Sequence, residues 1–120
     1  MAFFEILKEL VDASKGGLAA TVMGMDGIAV DQYAGESGYD VETVGVEYGK
    51  VIEEIRNASR LLNLGEVEEV MVASAVNDLL LRLVNNDYYI AFVVPPEANI
   101  GRARYLLKRA AVKTSKELER

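Results

Sequence analysis

The chain opens on an apolar spacing of three and four. Phe3, Phe4, Ile6, Leu7, Leu10 and Val11 share one side of a helical wheel, with Glu5, Lys8, Glu9 and Asp12 on the other. This predicts a helix over Phe3–Ser14. Gly16-Gly17 then supplies the left-handed residue on which helices commonly end. From Leu18 the period shortens. Leu18–Gly24 and Ile28–Tyr33 read as strands around a tight Met25-Asp26-Gly27 turn, Asp-Gly being a strong hairpin signal. Gly35-Glu36-Ser37-Gly38 reads as a loop.

Asp40 is placed as the N-cap of a long helix over Val41–Leu62, with Gly65 closing it. Its apolar stripe is Val41, Val44, Tyr48, Val51, Ile52, Ile55, Ala58 and Leu62. Gly45 and Gly49 interrupt this helix four residues apart. Each costs about 1 kcal/mol relative to alanine in a helix interior, so an unusually close neighbour is expected there. Three strands follow: Glu66–Ala75, Leu79–Val84 and Tyr88–Val94. Turns at Val76-Asn77-Asp78 and Asn85-Asn86-Asp87 separate them, and Pro95-Pro96 stops the last. A final helix over Asn99–Glu117 turns Ile100, Ala103, Leu106, Leu107, Ala110 and Ala111 inward. Runs of hairpin-linked strands between helices predict an α+β fold on an antiparallel sheet. At 120 residues, without repeats or a linker, the expectation is one domain over residues 1–120.

Charge divides the chain. From Arg102 onward it carries seven basic residues against Glu117 and Glu119, while the rest is strongly acidic and the net charge is −6. An acidic body disfavours nucleic acid. The basic last helix fits an acidic partner or, more plainly, a solvated face with cations toward its C-terminus. No apolar run has the length of a membrane span or the form of a signal peptide, so a cytoplasmic protein is expected, with no membrane insertion.

Candidate chemistry is sparse. The chain has no cysteine and no histidine, which removes thiolate catalysis, Ser-His-Asp triads and the commonest transition-metal ligands. Gly45-Val46-Glu47-Tyr48-Gly49-Lys50 superficially resembles a phosphate loop. It is one residue short, lacks the Mg²⁺-binding hydroxyl and lies inside a helix. Glu53-Glu54 and Glu68-Glu69 are adjacent pairs that point apart, and Asp26 and Asp78 are turn residues by type. No calcium-loop spacing is present. The expectation is a protein that is not an enzyme, with no metal and no cofactor.

The element order, together with Gly24-Met25-Asp26-Gly27-Ile28-Ala29-Val30, Glu68-Glu69-Val70-Met71-Val72 and the Asn99-Ile100-Gly101 helix start, resembles the roadblock (dynein light-chain) family over nearly the whole chain. The resemblance implies a five-stranded antiparallel sheet flanked by helices, in the order helix-strand-strand-helix-strand-strand-strand-helix. It also implies a homodimer formed through the second helix and third strand, with Gly45, Gly49, Ile52, Val67, Val70 and Val72 at the interface. MglB-like members act on a Ras-like small GTPase and accelerate its hydrolysis, while others serve as scaffolds. On that likeness the expected GTPase contacts are Val46, Gly49, Lys50 and Glu53 on the second helix and Arg109 and Lys113 on the last. The rival reading is a ligand-sensing domain of profilin-like or PAS-like type without a GTPase partner.

Overall fold

In a computed structural model, residues 2–120 are described. The first helix, α1 (Phe3–Ala13), precedes a hairpin of β1 (Ala19–Gly24) and β2 (Ala29–Tyr33). A short 3₁₀ turn at Gly35–Ser37 leads into α2 (Val41–Leu61). The strands β3 (Glu69–Val72), β4 (Asp78–Leu83) and β5 (Tyr88–Val94) follow, and α3 (Ile100–Leu118) comes last. All five strands form one sheet in the order β2-β1-β5-β4-β3, with every neighbouring pair antiparallel. The expected α+β class, strand number and element order are all observed.

Alternation along the strands divides the core in two. On one face Ala20, Val22, Leu80, Ile90, Phe92 and Val94 pack against α1 and α3 through Leu7, Leu10, Ala103 and Leu107. On the other, Ala19, Met23, Leu81, Tyr89, Ala91 and Val93 pack against α2 through Val41 and Ile52. The adjacent strands β1 and β5 are covered on both sides, which explains why β1 is buried along its whole length, Thr21 included, and why β5 is apolar throughout.

Several boundaries differ from the sequence pattern. The strand expected over Glu66–Ala75 is regular only from Glu69 to Val72. Glu68 still accepts the Leu83 N–H at 3.0 Å, but past Val72 the Ser74 N–H binds the Asp78 carboxylate at 3.2 Å and bends the chain into β4. Asp78 is therefore the buried first residue of β4 rather than a free turn residue. Helix α2 ends at Leu61, and Asn63, at φ 58°, takes the left-handed position expected of Gly65. Asp40 caps α2 as expected, accepting the Thr43 N–H at 3.2 Å.

Candidate interaction surfaces

Helix α2 presents two different stripes. Val41, Gly45, Gly49, Ile52 and Arg56 are the residues it buries. Gly45 and Gly49 are there because the sheet leaves no room for a side chain. A Cβ on Gly45 would lie 2.8 Å from Met23 Cε, and one on Gly49 would lie 2.8 Å from the Tyr89 hydroxyl. The Tyr89 hydroxyl donates to the Gly45 carbonyl, and burial pushes its pKa up to about 12. The close neighbour expected at the glycines is therefore the chain's own sheet. Gly45, Gly49 and Ile52, expected at a subunit interface, and Gly49, expected also at a GTPase contact, lie on the buried stripe of α2 against the chain's own sheet.

Arg56 is the residue the apolar pattern missed. Only 6 % exposed, it donates to the Asn86 carbonyl at 3.1 Å and to Glu53 at 2.8 Å. Its position one turn after Ile52 was the available signal. A charge there requires hydrogen-bond partners, which Glu53 one turn back and Asn86 in the β4–β5 turn supply.

The second stripe is Val44, Tyr48, Val51, Ile55, Ala58 and Leu62, advancing by alternate steps of four and three. That is the 3.5-residue period of a helix that packs along another helix. Val51, Ala58 and Leu62 are exposed, so the chain itself only partly covers it. Val46, Lys50 and Glu53 lie on the opposite flank of the same helix. Val46 and Glu53 are half-buried and Lys50 is exposed beside Glu47 at 3.6 Å.

Strand β3 is an open edge. Glu68 is bonded across to Leu83, so ladder alternation turns the N–H and C=O groups of Glu69 and Met71 outward, without a strand to receive them. Helix α2 packs chiefly over β1, β5 and β2. Val70 and Val72 are consequently only half-buried on that face. Val67 lies ahead of the strand and is half-buried. On the other face the Glu69 carboxylate receives Arg82 at 3.1 Å and Arg104 at 2.5 Å, fastening α3 to the edge strand.

Arg109 and Lys113 sit on α3, across the sheet from α2. Arg109 stacks on Tyr105 at 5.8 Å and Lys113 pairs with Glu9 of α1 at 2.8 Å. The sequence-derived GTPase contacts are thus split between opposite faces and do not form one site. Among the described residues no group of three or more acidic side chains is placed to hold a metal ion, and no helix is long and apolar enough to cross a membrane.

No family model and no curated protein matches this sequence. Solved structures do. The chain is 35% identical to MglC from Myxococcus xanthus, with 98% of this chain and 99% of that one aligned and a TM-score of 0.69. The Roadblock/LC7 domain from Streptomyces avermitilis superposes at a TM-score of 0.87 with 15% identity, covering 97% of each chain. The gliding protein MglB from Thermus thermophilus superposes at 0.85 with 14% identity, over 95% of this chain and 86% of that one. The latter two are likenesses of fold.

Proposed function

The chain belongs to the roadblock family, whose MglB-like members are non-catalytic regulators of Ras-like GTPases, and from that premise we propose that it is a homodimeric regulator or scaffold of such a GTPase. The observation that carries the dimer is the open β3 edge beside a half-covered apolar face. An unpaired edge invites another strand, and a two-fold copy of the same edge satisfies both at once. Val70 and Val72 supply the apolar contact, with Val67 at its margin, and Glu69 and Met71 supply the backbone groups.

The GTPase contact is placed on the α2 side of the sheet, at Val46, Lys50 and Glu53. Arg109 and Lys113 on the far face are left out of it. A regulator of this kind needs no catalytic side chain. It acts by fixing the switch loops and charged groups of the GTPase in a reactive arrangement. Acceleration of hydrolysis is the narrower form of the proposal. Scaffolding comes first, because the 35% kinship is with MglC while MglB shares the fold at 14%.

Two measurements test this. Light scattering at micromolar concentration should give the mass of two chains, and a monomer sinks the dimer. A Ras-like GTPase from the same organism, loaded with a GTP analogue, should bind saturably and lose binding on Lys50→Glu with Glu53→Lys. No binding and no change in turnover reject the GTPase role.

A further inference from the structure

Seven basic residues lie on or just beyond α3, and five of them are engaged. Arg104 pairs with Glu69, Lys113 with Glu9 and Arg120 with Glu117. Arg102 donates to the Ala13 carbonyl and Arg109 stacks on Tyr105. Of the seven, Lys108 and Lys116 alone have no hydrogen-bond, ion-pair or aromatic partner among the described residues. Both line the same groove of about 420 Å³ between the second half of α3 and the end of β4. Val84 and the buried Ala111 line it from the α3 side of the sheet, with Arg82 (paired to Glu69), Ser115 and a single acid, Glu119, completing the wall, so the two lysines outweigh the one carboxylate. Val112 stands midway between the two lysines and is 52% exposed.

We propose that this groove binds an acidic segment of a partner protein, with one apolar side chain on Val112 and a carboxylate on each of Lys108 and Lys116. The spacing sets the ligand pattern. Eight residues of helix place the two lysines about 12 Å apart, with Val112 halfway. In an extended chain, side chains two apart share a face, and four residues span about 13 Å. The matching segment is therefore acid-x-apolar-x-acid in extended form. Charge complementarity argues for the acids, since cations without partners on an otherwise acidic chain form a local attractive patch within a Debye length of about 8 Å. Concavity argues for a peptide over a lipid surface, because the groove runs in between α3 and β4 to the buried Ala111, where a flat bilayer does not reach. The site is on the α3 face, separate from the proposed GTPase contact, and stands whether or not that reading holds.

The test is an NMR titration of the ¹⁵N-labelled protein with an end-capped Glu-Ser-Leu-Ser-Glu peptide at low salt. Saturable shifts are expected at Ala111, Val112, Leu83 and Val84. Affinity should fall about tenfold for the Lys108→Glu, Lys116→Glu protein and by a similar factor for the Gln-Ser-Leu-Ser-Gln peptide, the scale of two exposed ion pairs. Glu-Ser-Ser-Ser-Glu should also bind more weakly. Both lysines are exposed, so the variant should keep the wild-type melting temperature. If it does not, Lys108→Gln with Lys116→Gln replaces it. Three results overturn the proposal: no saturable shifts, equal affinity for the glutamine peptide, or equal affinity of the folded lysine variant. Sedimentation with phosphatidylserine vesicles that depends on the lysines, without peptide binding, also overturns it and assigns the surface to anionic lipid.

Discussion

The Tyr89 hydroxyl donates a hydrogen bond to the carbonyl of Gly45, 44 residues away in sequence and on the helix that crosses above it. The same hydroxyl occupies the space a side chain on Gly49 would need. One phenol thus sets how closely α2 approaches the sheet, and with it the position of every residue on the outer flanks of α2.

Gly49→Ala should destabilise the fold by about 1–2 kcal/mol, because overpacking against a fixed ring outweighs the gain in helix propensity. Gly45→Ala should cost less. Its nearest neighbour is the flexible end of Met23, which can move aside. Adding Tyr89→Phe to Gly49→Ala should recover part of the loss, a coupling readable from urea unfolding of the four proteins. Additive effects would contradict the contact.

Tyr89 also gives alkaline stability a defined direction. Its pKa rises from an ordinary value of 10.0 to about 12 because burial disfavours the phenolate. The unfolded chain therefore releases this proton first. The contribution is full below about pH 10 and is lost as pH rises toward about 12. Urea midpoints should fall more steeply across that window for the wild type than for Tyr89→Phe.

The Asp40 cap acts at the acid end. Hydrogen bonds from the Thr43 hydroxyl and then its backbone N–H hold the Asp40 carboxyl below the ordinary carboxylate value. Its contribution is present above that ordinary value and lost as pH falls through the lowered one. Asp40→Ala should lower the melting temperature by a few degrees at neutral pH, and by less in acid. Asp40→Asn should keep most of the cap. An equal loss at both pH values would contradict the assignment.

Met71→Pro separates the two sides of β3. It removes an N–H that points away from β4, so the fold should survive while pairing with a second copy is lost. Sedimentation velocity should show a monomer, whereas Met71→Ala should remain a dimer. A dimeric proline variant would place the subunit contact elsewhere.

The elements were legible because their periods are local. The three-and-four spacing of α1, the Asp26-Gly27 turn and the cap at Asp40 each depend on residues within a few positions. The edge length of β3 was not. Whether Val67 or Ala73 continues a strand depends on whether a neighbour runs alongside, and β4 begins only at Asp78. The candidate surfaces were legible as residue types but not as places. Lys50 and Lys113 are both cations on helices, yet α2 and α3 cover opposite faces of the sheet.

The sequence by itself determined the order of helices and strands, the lack of histidine and cysteine chemistry, and the excess of positive charge from Arg102 onward, since all of these follow from composition and short-range spacing. Only the tertiary structure decided that Gly45 and Gly49 admit Met23 and Tyr89 of the chain's own sheet. It also decided that Arg56 is buried with partners, and that Lys108 and Lys116 are the α3 cations left without any. These properties depend on which atoms lie within a few ångströms across the sheet, and in the sequence those atoms are tens of residues apart.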